Sequence, residues 1–235
     1  MERVEKIHFW FWAKRKFLAM VLQKYIRAKN LRVLDVGCGT GAIMEFVKRK
    51  GFVVFGIDVD QVALEYCRSK GLEVGSGLAT KIGFPDDTFD IVLALDVLEH
   101  VQVDREAVQE IQRILKKGGI FIASVPAHRF LWSYHDRALQ HWRRYKKSEI
   151  EVLISREKLN IKLITWAHAG IFLPLVIGRW LKNIFNFGNN ESDVKEISPI
   201  INILWKVGYI PELIIFIVYG RLPFGTSLLV VAVKL

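Results

Sequence analysis

Three glycines at alternate positions, Gly37, Gly39 and Gly41, follow Asp35 in the segment "VLDVGCGTG" (33–41). Glycines spaced in this way let a backbone turn sharply and approach a ligand closely. Through Gly37, Gly39 and Ala42 the stretch formally fits G-x-G-x-x-G/A, the dinucleotide fingerprint, which alone is a weak signal. Asp35 decides the reading. A carboxylate at this point would repel a pyrophosphate lying across the glycines and attract a cation such as an α-ammonium group. A ligand with an amino-acid end, a nucleoside end and no phosphates satisfies both features.

A second group of reactive side chains lies in "SVPAHRFLWSYHDRALQHWRRYKKSEI" (124–150), which holds His128, His135, Asp136, His141, Arg143, Arg144 and Tyr145. Histidine titrates near neutral pH and suits proton transfer, while arginine offers a planar fork to a carboxylate or phosphate. His100, beside Glu99, is a further candidate, for which a structural place at a helix start is the competing role. No Cys/His cluster has zinc spacing, so no metal is expected. The two cysteines, Cys38 and Cys67, make no disulfide framework and point to a reducing, cytoplasmic compartment. Cys67 reads as plain packing.

These residues must be positioned by elements that alternate in type. Apolar strand-like runs are "RVLDV" (32–36), "FVVFGI" (52–57), "FDIVLAL" (89–95), "GIFIASV" (119–125), "NIKLITW" (160–166) and "SLLVVAVKL" (227–235). Helix-length segments fall at 41–50, 61–70, 104–117 and 147–157. Nearly continuous apolar strands interleaved with helices predict an α/β, doubly wound Rossmann-like sheet, mostly parallel, with a C-terminal antiparallel strand. Ligands of such sheets bind at the carboxyl ends of the strands. Both reactive groups leave strand ends of that kind. The expected organisation is an amphipathic helical cap (1–30), a nucleoside-binding core (31–167), an apolar helical insertion of two or three helices (168–224) and a final core strand (225–235).

With the motifs in this order, the chain resembles the class I S-adenosylmethionine-dependent methyltransferases, and within them the type 11, ubiquinone-biosynthesis-like group. "VLDVGCGTG" resembles the group's first motif and "GIDVD" (56–60) its acidic strand end. "GLATKIGFPDDTFDIVLALDVLEHV" (77–101) resembles the loop and fourth strand, and "LKKGGIFIASVP" (115–126) the fifth. The resemblance implies S-adenosyl-L-methionine as cofactor and S-adenosyl-L-homocysteine as product. It implies cofactor contacts from Asp35, Gly37, Cys38, Gly39, Gly41, Asp58, Val59, Leu78, Ala79 and Leu95. Asp58 would accept both ribose hydroxyls, as a carboxylate can. The group usually carries an aspartate where Leu78 stands, so here backbone and apolar packing alone would read the adenine.

The same group shows an H-D-x-x-x-x-H-x-R-R-Y run, matched by residues 135–145, and an aromatic, basic N-terminal stretch, matched by "HFWFWAKRKF" (8–17). Methyl transfer needs alignment and removal of the acceptor's proton. His135 is therefore the first candidate base and His141 the second, with Asp136 as the orienting carboxylate. The alternative is a clamp in which His135, Asp136 and Arg144 bond one another. Arg143, Arg144, Tyr145 and His100 are the candidate acceptor contacts; on a helix, neighbouring Arg143 and Arg144 would point about 100° apart, so only one would face the site.

Bulk properties narrow the acceptor. The tetrapeptide of nucleic-acid amino methyltransferases and the Pro-Cys pair of cytosine-C5 enzymes are both missing. Hydrophobic residues make up 51% of the chain and the net charge is +10. Basic residues gather in 1–32 and again in 129–147, interleaved with aromatics. That mixture suits an interfacial helix on an anionic membrane. No segment is expected to reach the ~20 apolar residues of a membrane span; the nearest is 163–178. In the first helix Phe11, Leu18, Val21, Leu22 and Tyr25 share one side, with Lys14 interrupting it. An apolar or lipid-like acceptor, met at the inner membrane face, is the leading expectation. Packing of the first helix against the insertion, with a homodimer interface, is the second, and RNA the third, because no separate recognition domain is present. A catalytically silent interaction module is opposed by Asp35, the glycines and Asp58.

Overall fold

The structure, a computed structural model, describes residues 7–185 and 197–235, with the side chains of 179–185 excepted. The polar interlude 186–196, the side chain of Trp180 and the charges at Glu2, Arg3, Glu5 and Lys6 lie outside the described residues.

Aliphatic and β-branched runs form the strands β1 (Arg32–Val36), β2 (Val53–Asp58), β3 (Glu73–Ser76), β4 (Phe89–Leu95), β5 (Leu115–Pro126), β6 (Leu159–Ala167) and β7 (Ser227–Lys234). They build one sheet in the order β3-β2-β1-β4-β5-β7-β6. β1 pairs in parallel with both β2 and β4, while β7 runs antiparallel between β5 and β6. The chain travels outward from β1 to β3 and then returns to β4, so the switch point lies between β1 and β4, where a ligand crevice opens at the strand ends.

The sequence reading misses β3. Its four residues, "EVGS", carry a single aliphatic side chain and sit on the sheet edge, where polar composition guards against unwanted pairing. Along β4, Ile91 and Leu93 face one layer and Val92 and Ala94 the other, which is why the strand is apolar throughout.

Helices cover both faces. α1 (Phe9–Tyr25), α2 (Ala42–Lys48) and α3 (Gln61–Ser69) lie on one layer, and α4 (Asp104–Ile114) and α6 (Lys147–Ser155) on the other. A short α5 (Tyr134–Ala138) sits in the loop after β5. Between β6 and β7 come α7 (Phe172–Phe185), α8 (Pro199–Gly208) and α9 (Ile210–Tyr219).

One expectation needs correction. Residues 163–178, read as too short and too interrupted for a span, divide between β6 and α7. Instead Pro199–Tyr219 is a helical run of 21 residues, long and apolar enough by length and composition to cross a membrane. Pro211 sits in the first turn of α9, where its missing N–H costs nothing, so the run continues past it. The inserted helices also pack on α1. Asn202 Nδ2 donates to the Ile7 carbonyl (2.8 Å), the Phe9 amide donates to Asn202 Oδ1 (2.7 Å), and Phe9 stacks on Trp205. Phe17, outside the expected apolar stripe, is buried against Phe216.

Candidate active site

The turn after β1 is left-handed at Gly37 (φ +70°), Gly39 (+51°) and Gly41 (+79°). A Cβ at Gly41 would stand 2.4 Å from Leu72 Cδ1, and one at Gly37 would stand 2.6 Å from Val97 Cγ2. At Gly39 a Cβ would meet open space, so the backbone there faces a clear approach. The Gly39 amide donates to Asp58 Oδ2 (2.7 Å) and the Asp60 amide to Asp58 Oδ1 (3.0 Å). Asp60, not Asp58, caps α3. Each Asp58 oxygen keeps acceptor capacity beyond its one backbone bond. Cys67 does more than fill space: its thiol donates to the Gly39 carbonyl (3.2 Å) and braces the turn.

Asp35, at the end of β1, is 3% exposed. Burial pushes its carboxyl up to about 7, with Lys14 opposing and Asp58 reinforcing the shift. Beyond the turn, Val59 and Leu78 stand 64% and 57% exposed, large apolar groups held in water beside the glycines' partner Asp58. Cys38 is buried, and Ala79 and Leu95 half-buried. Two carboxylates, an open left-handed turn and exposed apolar side chains suit a ligand with an ammonium, a vicinal diol and a flat base. These residues fit S-adenosylmethionine.

The second group of reactive side chains sits on the 3-10 turn Leu98–His100 after β4 and on the loop after β5. Trp142 donates its amide to the Glu99 carbonyl (2.8 Å) and ties the two together. Asp136 is fully buried and central: Oδ1 accepts from Arg144 Nε (2.7 Å) and bonds His141 Nδ1 (3.0 Å), and Oδ2 accepts the Ser133 amide (2.8 Å). Burial alone would raise this carboxyl, but the His141 bond and the Arg144 charge hold it well below the usual range. Asp136 thus orients His141. His135 lies alongside, its ring 6.3 Å from that of His141, and His100 stands 4.6 Å from His141 on another side.

The remaining expected contacts have protein partners. Arg144 also donates to the Ala127 carbonyl (3.1 Å), and Arg143 Nη1 donates to Asp104 Oδ2 (3.0 Å). Tyr145 is buried, its hydroxyl donating to Asp104 Oδ2 (2.8 Å). Arg143 and Arg144 stand in a non-helical stretch, so they diverge as neighbours in extended backbone do rather than by a helical turn.

One basic residue read as a flaw in an apolar stripe turns inward. Lys14 on α1 forms an ion pair with Asp96, which follows β4 and also accepts Ser124 Oγ (2.7 Å). Nearby His168 is buried, stacked on Trp10 at 3.9 Å, with Nδ1 2.9 Å from the Tyr209 hydroxyl. Burial pulls its pKa down to about 3, so it is neutral. The signal for Lys14 in the sequence is its position: a charge within an apolar helical face needs a buried partner.

Comparison with known proteins supports a methyltransferase. Residues 34–123 match the type 11 family model described as a methyltransferase domain. The ubiquinone biosynthesis O-methyltransferase of Vibrio cholerae is 28% identical over 175 residues, 66% of this chain and 71% of that protein. The enzyme of the same name from Alkalilimnicola ehrlichii is 37% identical over 100 residues, 40% of each chain. Among solved structures, a methyltransferase from Archaeoglobus fulgidus superposes with a TM-score of 0.62 at 19% identity, covering 94% of both chains. The [4+2]-cyclase SpnF superposes at 0.64 and 20% identity, covering 96% of this chain and 83% of its own. At that identity the two structures speak for the fold alone, and a cyclase among them shows how little fold says about acceptor. Domain match and curated relatives together mark this chain as an S-adenosylmethionine-dependent methyltransferase whose residues 34–123 match the type 11 methyltransferase domain.

Proposed function

We propose that this methyltransferase acts on a hydroxyl oxygen of an apolar, lipid-like small molecule and works against an anionic membrane surface. The observation that carries the reading is the outer face of α8 and α9. Ile200, Ile203, Leu204, Val207, Ile217 and Val218 are each more than half exposed, although their helices pack on α1 from the other side. Monomeric proteins rarely leave so much contiguous apolar surface in water without a partner. The curated relatives are O-methyltransferases of ubiquinone biosynthesis, which supports an oxygen acceptor and an apolar quinone-like body.

In this reading Asp35 holds the α-ammonium group, Asp58 the ribose diol, and the Gly37–Gly41 turn with Cys38 and Leu95 lines the nucleoside. Val59, Leu78 and Ala79 flank the adenine. When bound, the cofactor supplies an electrophilic sulfonium methyl carbon. The chain aligns the acceptor, excludes water and takes its hydroxyl proton at the histidine edge formed by His100, His135 and His141. Arg143, Arg144 and Tyr145 hold the loop that carries that edge.

The test compares two hydroxylated aromatic acceptors with the same head, one bearing a long isoprenoid tail and one without it. Methyl transfer is followed by mass spectrometry in the presence of anionic vesicles. At least tenfold higher kcat/KM for the tailed molecule is expected. Equal rates, or methylation of RNA instead, would overturn the reading.

A further inference from the structure

We infer that Glu99, His100 and His141 form a binding site for one divalent transition-metal ion of the zinc, cobalt or iron(II) class. One potential ligand atom from each of the three side chains lies within 4.8 Å of the others. They come from two elements, the 3-10 turn after β4 and the loop after α5, which the Trp142–Glu99 backbone bond locks together.

Each donor is prepared in the way metal ligands are. His141 uses Nδ1 on Asp136 Oδ1 at 3.0 Å, which directs Nε2 away from the carboxylate. Asp136 is itself fixed by Arg144 Nε (2.7 Å) and the Ser133 amide (2.8 Å), so the imidazole is oriented by a rigid outer partner. Metal-bound histidines almost always carry such an acceptor on the second nitrogen. The His100 ring plane stands at 84° to that of His141 with centroids 4.6 Å apart.

Glu99 provides the independent observation. It is 1% exposed, and its Oε2 has no hydrogen-bond partner among the described residues. Buried carboxylate oxygens are normally satisfied, because leaving one bare costs the full desolvation of the group. A cation beside the two imidazoles satisfies it.

Two imidazoles and one carboxylate favour a borderline transition ion over magnesium or calcium, which prefer all-oxygen shells. Three protein ligands leave at least one coordination position for another molecule, as in zinc sites that do chemistry. His100 is exposed, which gives an ion a way in. If the acceptor is a hydroxylated molecule, as proposed above, an ion here would bind that oxygen and lower its pKa, and His135, the edge histidine outside the donor set, would take the proton. That role rests on the proposed acceptor. The binding of the ion does not.

The experiment uses the full untagged chain, stripped with a chelator, without cofactor or acceptor. Zinc is titrated calorimetrically and cobalt(II) by visible absorption. One equivalent of each is expected, with d–d bands of a nitrogen- and oxygen-ligated cobalt. His100→Ala and Glu99→Gln should each weaken uptake at least tenfold while leaving the melting temperature and S-adenosylmethionine affinity in place. His100→Ala removes an exposed ring, so loss of the fold is not expected from it. No uptake by the parent chain, or equal uptake by parent and His100→Ala, would overturn the site. Because no methyl transfer is read, these outcomes are separate from those that decide the acceptor.

Discussion

In the proposed cofactor site, Asp35 carries a conflict between the fold and the ligand. Folding favours its neutral form, because burial lifts the carboxyl to about 7, yet an ammonium partner needs it ionised. The sign follows directly. Cofactor affinity should fall as pH drops through 7, by about tenfold between pH 8 and 6, as the ionised fraction declines. Calorimetric titration across that range checks it. Asp35→Asn should bind weakly and without this slope. It should also melt higher than the parent at pH 8 in the absence of ligand. A carboxyl whose folded pKa lies above its unfolded value costs stability once ionised, and that cost builds as pH rises from about 4 to 7. A variant both more stable and less able to bind is the mark of a strained ligand contact. Asp35, the glycines and Asp58 are legible in the sequence because one strand, its turn and the next strand bring them together. Lys14 is not, since its partner Asp96 lies far along the chain and meets it only when α1 docks.

At the scale of elements, the loop after β5 is organised around Asp136. Removing it by Asp136→Ala would leave Arg144, 5% exposed, without its carboxylate. Breaking such a pair costs about 3–5 kcal/mol. Arg143→Ala cuts a partly exposed pair with Asp104 and should cost no more than about 1 kcal/mol. Urea denaturation of the two variants, followed by circular dichroism, gives the comparison; equal losses would mean that Asp136 is not the keystone. The turn at Gly41 makes a second prediction. Alanine there meets both a left-handed φ and Leu72 at 2.4 Å, and should lower stability by about 2 kcal/mol or more, through strain of about 1–3 kcal/mol plus the clash. Gly39→Ala has no steric conflict with the protein and should spare stability more while obstructing the ligand. The sequence shows His135, Asp136 and His141 as one run, but not that Asp136 selects His141. That choice depends on Trp142 reaching back to Glu99 and turning the loop. β3 is also illegible, because four polar-leaning residues at an edge carry almost no periodic signal.

For the whole molecule, charge and apolar surface should act together. The chain carries a net +10, and α8–α9 present an unbroken row of isoleucines, leucine and valines outward. Apolar insertion and attraction to anionic lipid add, so binding to vesicles should weaken with salt but not vanish. Ile203 and Ile217 are 60% and 69% exposed, so Ile203→Glu with Ile217→Glu should change stability by only about 0.5 kcal/mol each. Flotation with anionic vesicles should then fall at least tenfold at an unchanged melting temperature. Transfer to a tailless acceptor in solution should be unaffected, because the substitutions touch neither the glycine turn nor the histidine edge. A second copy of the chain is the rival occupant of this face, and sedimentation separates the two. If the parent sediments as a dimer and the double variant as a monomer, while neither floats, the face joins protomers and the membrane reading fails. A monomeric parent that floats, with a monomeric variant that does not, leaves lipid as the partner.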